Sequence, residues 1–264
     1  MSAIKPVIVF VPGAFLGAGP YASFAKTLRA KGYTVDVVTL PSAGDLSSET
    51  PSSPKWKDLA SKTVESDVQA IQEVLLPYFE QGERVVIVGH SYGSIPAMLS
   101  IQGQTLEERT ANNLEGGIVG YINIAGFTFG ARGKNTMGTE DDPPPMPYHH
   151  FQNGIVTLQE IAKPIFFSDL SSEGQDAIWS TFPKHQSWAC FLCRPTFIDA
   201  DVKIPKAYIK TERDECVFPA WQNGFVMAGQ FDVVVSLSTG HCPMASAPEE
   251  LTRVIDQFVI QSTG

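Results

Sequence analysis

Val85-Val86-Ile87-Val88-Gly89-His90-Ser91-Tyr92-Gly93-Ser94-Ile95-Pro96-Ala97-Met98 is the stretch that decides the fold. Four β-forming residues, Val85 to Val88, run straight into Gly-His-Ser-Tyr-Gly, and small and apolar residues follow. The pattern predicts a buried strand, a tight turn and the start of a helix. The turn has the form Gly-x-Ser-x-Gly. A turn this sharp leaves no room for a Cβ at Gly89 or Gly93, where it would strike the neighbouring strand or helix. The Ser91 hydroxyl is then held at the carboxyl end of a sheet, above a helix N-terminus whose partial positive charge favours a developing anion. The competing reading is an ordinary strand-to-helix turn with a capping serine. A nucleophile at Ser91 requires a base, an acid and an oxyanion hole from the rest of the chain.

Outward from this stretch, strand and helix patterns alternate. Residues 6–11 form a continuous apolar run, as expected of a central parallel strand. A small-residue loop follows, Pro12-Gly13-Ala14-Phe15-Leu16-Gly17-Ala18-Gly19, which lets backbone N–H groups approach a ligand. Helical spacing marks residues 21–31 and 63–79, and a second strand is predicted at 34–40. Residues 41–54 read as a Ser/Pro/Gly loop. Further strands are predicted at 118–125, 204–211 and 231–237, with helices at 220–229 and from the late 240s to about 261. Such alternation is the signature of an α/β protein with a doubly wound, mainly parallel sheet covered on both faces.

The rhythm breaks after Gly126. Residues 127–195 show no strand of comparable quality, and a proline-rich stretch, Asp141 to Pro147, cannot be helix interior. The segment is rich in aromatics, among them Phe166, Phe167, Trp179, Phe182, Trp188 and Phe191. We expect a helical lid at 127–195, inserted after the strand that ends near Ala125, over a core of residues 1–126 and 196–264. The alternative is a second packing layer with no substrate contact.

Length and composition bound the function. The 264 residues are 43% hydrophobic and 18% charged, enough for one large globular domain with a substantial core. Net charge is -9 with no basic patch, which argues against nucleic acid as a partner. The chain moves from Met1 directly into a strand without an apolar leader, and no apolar run approaches the ~20 residues of a membrane span. The terminal Ser262-Thr263-Gly264 matches no common targeting signal. Of the four cysteines, Cys190 and Cys193 have C-x-x-C spacing, but no second pair completes a zinc site. Free thiols in core or pocket, in a reducing cytoplasm, are the expectation. Whether the chain forms a homodimer is left open.

A serine hydroxyl needs a base within reach, and the chain has five histidines. His90 lies beside Ser91, points away from it and reads as structural. His149, His150 and His185 fall in the lid segment, where loop histidines are more often solvated. His241 follows the last strand in a Thr-Gly-His loop leading into the final helix. Asp214 lies just past the preceding strand, with Glu212 as fallback and Glu215 as a rival. Asp36 lies at the wrong end of its strand. Ser91, Asp214 and His241 thus all fall at carboxyl strand ends, where a doubly wound sheet gathers its ligand residues. Oxyanion donors are expected at the N–H of Tyr92 and at Ala14, with Phe15 second. Phe15, Phe127, Trp179, Trp188 and Cys242 are the candidate substrate contacts.

Several segments resemble a known family: Val11-Pro-Gly-Ala-Phe15, Leu40-Pro-Ser-Ala-Gly-Asp45, Gly89-His-Ser-Tyr-Gly93, Thr211 to Gln222, and Gly240-His-Cys-Pro-Met-Ala-Ser-Ala-Pro-Glu-Glu250. They are similar to the α/β-hydrolase superfamily, within it to the plant methylesterase and hydroxynitrile lyase group, and closer still to fungal α/β-hydrolases of secondary metabolism. The resemblance spans nearly the whole chain apart from the lid. It implies an α/β-hydrolase fold without cofactor or metal, a triad of Ser91, His241 and Asp214, and oxyanion donors at Ala14 and Tyr92. In the lyases a lysine follows the catalytic histidine. Here Cys242 stands in its place, which argues against lyase activity. The expectation is a serine esterase or lactonase acting on a small-molecule ester or lactone, apolar or aromatic and polyketide-like. Two alternatives are a lyase or carbon–carbon bond cleaving enzyme on the same scaffold and a ligand-binding receptor with slow turnover.

Overall fold

Val7–Val11 reads VIVFV and all five residues are buried, as a strand covered on both faces requires. A computed structural model describes this and the rest of residues 5–263. The readings made of residues 1–4 and 264 lie outside the described residues.

In chain order the strands are β1 (Val7–Val11), β2 (Val35–Val37), β3 (Ala43–Gly44), β4 (Arg84–His90), β5 (Gly117–Ile124), β6 (His149–Gln152), β7 (Ile155–Leu158), β8 (His185–Ser187), β9 (Lys206–Thr211) and β10 (Val233–Leu237). The helices are α1 (Ala22–Ala30), α2 (Pro54–Ala60), α3 (Val64–Glu80), α4 (Ser94–Leu99), α5 (Leu106–Ala111), α6 (Lys163–Phe166), α7 (Ser172–Trp179), α8 (Pro219–Gly229), α9 (Pro243–Ser246) and α10 (Pro248–Thr263).

Six strands form the main sheet in the order β10-β9-β5-β4-β1-β2, and every pairing is parallel. Helix α1 packs on α10, and α3 packs on α4, giving one helical layer on each face. This is the doubly wound sheet that the alternation predicts. Strand β9 begins later than expected, after Pro205, which has no N–H to offer a ladder. Among the described residues, no helix is long and apolar enough to cross a membrane.

The inserted segment departs from expectation. It is not simply helical, because β6, β7 and β8 lie within it and join β3 in an antiparallel sheet of order β3-β8-β7-β6. Strands β6 and β7 are joined by Asn153-Gly154, both at positive φ (46° and 79°), as a two-residue hairpin turn requires. Strand β8 reads His-Gln-Ser, yet all three residues are buried. Its partner β3 belongs to the stretch expected as a loop, so the inserted sheet is sewn into the core at Ala43 and Gly44.

The chain leaves β1 towards β2 on one side, whereas β4 leads to β5 on the other. The crevice at this reversal, between the carboxyl ends of β1 and β4, is where open sheets of this kind bind ligands. Contact there is very close. A Cβ on Gly93 would stand 2.3 Å from the Pro12 carbonyl oxygen and 2.4 Å from that of Val11, and one on Gly89 would stand 2.5 Å from Ser94 Cα. Backbone meets backbone, so neither position has a flexible side chain that can give way. We therefore expect Gly93→Ala to lower the thermal midpoint by about 5–10 °C, the scale of about 2–3 kcal/mol of overpacking. Gly224→Ala, in α8 with nothing within 4 Å of the added carbon, is the control and should leave the midpoint unchanged or raise it slightly. Differential scanning calorimetry of the two variants checks this.

Candidate active site

Ser91 follows β4 and adopts φ 52°, a left-handed conformation uncommon for a residue with a Cβ. It lies at the start of a 3-10 turn that leads into α4, where leading N–H groups, Tyr92 among them, have no helical partner. Three of the amides in the loop after β1 are engaged. Gly13 N–H donates to the Tyr21 hydroxyl (2.8 Å), Phe15 N–H to Gln186 Oε1 (2.9 Å) and Leu16 N–H to the Gly13 carbonyl (3.3 Å). Ala14 sits between them on the wall of the cavity that Ser91 faces. Its N–H has no hydrogen-bond partner among the described residues. Phe15, at φ 68°, is not the free donor.

Of the candidate acids after β9, Asp214 is buried, whereas Glu212 and Glu215 are exposed. Asp36 accepts the Tyr78 hydroxyl and takes no part. Asp214 Oδ1 accepts the N–H groups of Cys216 and Val217, and Oδ2 accepts the Thr211 hydroxyl and His241 Nδ1–H, all at 2.8 Å. Burial pushes this carboxyl up, but His241 and the converging donors prevail and hold it below its ordinary range. Burial likewise opposes charge on the His241 ring, which is 0% exposed, yet Asp214 outweighs it and holds the imidazole well above its ordinary value. With Nδ1–H given to the carboxylate, Nε2 is the basic nitrogen of the neutral ring, and it has no partner among the described residues.

His90 is structural, as expected. Its Nε2–H donates to the His241 carbonyl (2.8 Å), and its Nδ1 accepts the Tyr21 hydroxyl (2.8 Å). Burial, aided by the neighbouring His241, lowers it to about 3, so it stays neutral. The same ring ties the backbone of His241 to the residue before Ser91. Asp169, which the sequence reading missed, accepts the Gly240 N–H (2.6 Å) and fixes the loop from the other side. Gln222 was also missed. It bonds the Thr211 backbone and hydroxyl and so holds the end of β9 beside Asp214.

Ser91 opens into a cavity of about 710 Å³. Phe15, Phe127 and Trp188 line it. Trp179 and Cys242 do not. The Trp179 ring packs on Phe182 (5.3 Å between centroids) under the Lys184 ammonium, and Cys242 turns into the core at the start of α9. His185 is neither solvated nor in the cavity, since it is buried against Trp56 and its Nδ1 accepts the Leu46 N–H. His149, by contrast, does line the cavity. Its Nδ1 accepts the Met146 N–H (3.2 Å), which leaves the ring proton on Nε2, and burial lowers it to about 4. One wall comes from α8, through Trp221, Gly224, Phe225 and Ala228. Their helical spacing was legible in the sequence, although nothing there showed which way the face pointed. Among the described residues lining the cavity, none is Asp, Glu, Lys or Arg. Of the C-x-x-C pair, Cys190 is buried, Cys193 reaches the cavity wall, and both are free thiols.

Known proteins share this arrangement of elements. A model of the alpha/beta hydrolase family matches residues 8–254. Alpha/beta hydrolase nvfD of the fungus Aspergillus novofumigatus (strain IBT 16806) is 26% identical over 255 residues, 96% of each chain. A mutant of polyneuridine aldehyde esterase superposes with a TM-score of 0.74 at 18% identity, over 96% of this chain and 99% of that one. The methylesterase MES16 from Arabidopsis superposes with a TM-score of 0.68 at 18% identity, over 97% and 99%. At these identities the structures show a common fold, and the fungal and plant resemblance read from the motifs holds. The chain belongs to the alpha/beta hydrolase family.

Proposed function

We propose that the protein is a serine hydrolase that cleaves a carboxylic ester or lactone through an acyl-enzyme, and that its substrate is uncharged, apolar or aromatic, and of small to medium, polyketide-like size. The observation that carries this reading is the opening of the Ser91 turn into an uncharged, aromatic-walled cavity, at the sheet end that also holds the hydrogen-bonded His241–Asp214 pair. In this reading His241 Nε2 takes the Ser91 proton as Oγ attacks the carbonyl carbon. Asp214 keeps the proton on Nδ1 and stabilises the imidazolium that forms. The N–H groups of Ala14 and Tyr92 receive the negative oxygen. The leaving alcohol takes its proton from His241, and water, with His241 as base, then cleaves the acyl-enzyme.

The segment 127–195 acts as the lid of this site, with Phe127 and Trp188 on the substrate. The neutral His149 offers a hydrogen-bond donor in a mainly apolar wall that also carries Asn135, Thr136 and Tyr148, which suits a substrate oxygen remote from the scissile bond. Cys242, buried behind His241, supplies no ammonium for a cyanide leaving group, so hydrolysis is favoured over lyase chemistry. The free thiols suit a cytoplasmic setting.

Probe labelling, variant kinetics, a pH profile and a charged substrate test the reading. A fluorophosphonate probe should label Ser91 alone by peptide mapping, and Ser91→Ala and His241→Ala should each lower ester turnover at least ~10³-fold while the far-UV circular dichroism is unchanged. An unlabelled, folded wild type would remove the nucleophile from the proposal. The base works only when neutral and its folded value is raised, so kcat/KM should climb with pH along an acidic limb centred above about 6.5. In Asp214→Asn the charge that raises His241 is gone, so the limb should move to lower pH and kcat should fall by about 10⁴. Finally, adding a carboxylate to a neutral naphthyl ester should lower kcat/KM by about 10²-fold or more, because the cavity wall offers that charge no partner.

A further inference from the structure

Three wholly buried polar side chains close to the proposed oxyanion donors, Ser42, Asp67 and Gln186, take no part in the chemistry above. Asp67 lies on the apolar face of α3, in line with Val64, Ile71 and Leu75. Its carboxylate accepts the Ser42 N–H (3.1 Å), the Ser42 hydroxyl (2.6 Å) and the Tyr92 hydroxyl (2.5 Å). Ser42 has one hydroxyl proton and spends it on Asp67, so its oxygen is left to accept from Gln186 Nε2 (2.6 Å). The second Gln186 amide proton points to Cys190 Sγ (3.3 Å), whose own S–H donates to the Ser187 carbonyl (3.0 Å). That fixes the amide with its oxygen towards Phe15, where it accepts the backbone N–H (2.9 Å). A flipped amide would set its NH₂ against the Phe15 N–H and its oxygen against Ser42, whose only proton is already committed.

The bonds run in one sense, from Phe15 N–H through Gln186 and Ser42 to Asp67, and a second arm runs from the Tyr92 hydroxyl to the same carboxylate. Burial raises the Asp67 carboxyl above its ordinary range against the pull of these donors, and ordered donors that terminate on one buried carboxyl reinforce one another where water cannot compete. One end of the chain holds Phe15 at its left-handed φ and so places Ala14. The other end holds the residue whose N–H follows the nucleophile. None of Ser42, Asp67 or Gln186 lines the cavity.

We infer that Gln186, Ser42 and Asp67 are positioning residues that set the oxyanion hole, and that Gln186 carries this control from the inserted sheet into the core. The inference rests on the serine-hydrolase reading. Its test uses Gln186→Met, which keeps the volume and loses both hydrogen-bonding ends, and Ser42→Ala, which frees the amide to turn. The full-length proteins are assayed with 2-naphthyl butyrate, and with an aryl trifluoromethyl ketone whose tetrahedral adduct places an oxyanion in the hole. Loss of an oxyanion donor costs about 10²–10³-fold, so a displaced one should lower kcat by about 10- to 100-fold with KM within about twofold. The inhibition constant of the ketone should rise by the same factor as kcat/KM falls. A merely structural role would lower the thermal midpoint while kcat and the ketone constant of the folded protein stay put. That outcome in both variants overturns the inference, and if Gln186→Met does not fold, Ser42→Ala decides alone. An unreactive wild type overturns the hydrolase reading together with this one. A reactive wild type with unaffected variants overturns only the relay.

Discussion

The Gly93 backbone is pressed against the carbonyl oxygens of Val11 and Pro12, closer than any side chain would allow. This contact brings the helix that follows β4 against the loop that follows β1, across the reversal point of the sheet. Two otherwise separate pieces of chain thereby present backbone amides to one volume of space. The left-handed backbones of Phe15 and Ser91 are local consequences of fitting both turns into it. Strain of this kind persists only where surrounding contacts over-determine it, and here the determining contacts are polar and buried.

Two sets of hydrogen bonds bracket Ala14. On one side Gly13 is tied through Tyr21 and His90 to the backbone of His241. On the other, Phe15 is tied through Gln186 and Ser42 to Asp67. Asp214 is likewise ringed by donors, with the His241 ring on one oxygen and two backbone N–H groups on the other. The molecule confines its -9 net charge away from the cavity wall, where the described lining residues carry no carboxylate or cationic side chain. A low-dielectric site of this sort strengthens every fixed dipole aimed into it.

The sequence carried the core of this picture because the core is hydrophobic. The apolar runs at residues 6–11, 85–88 and 118–125 read as buried parallel strands, and Ser91, Asp214 and His241 then fell at strand ends by position alone. The inserted sheet was harder to read because its strands are short and β8 is polar, held by hydrogen bonds rather than by apolar burial. Asn153-Gly154 is a hairpin signal, but the flanking strands are short and the aromatic pattern around them masks their alternation. That pattern also misled at Trp179, since an aromatic ring in a lid segment packs on its neighbours as readily as on a ligand. Asp67 left one readable trace, a charge on the apolar stripe of α3, but its partners lie at distant positions that no local spacing reveals.

The pairing of β3 with β8 also bears on how the chain assembles. Phe15 and Gln186 are 171 residues apart, and Ser42 and Gln186 are 144 apart. A chain emerging from its N-terminus therefore makes the Ser91 turn early, while the loop beside it still lacks its partner. Closing so long a loop is entropically slow even when the final contact is favourable. His241 arrives later still, after the inserted sheet is complete. The Ser91 turn is thus synthesised long before the segments that surround it, and the site is whole only when the last strand is in place.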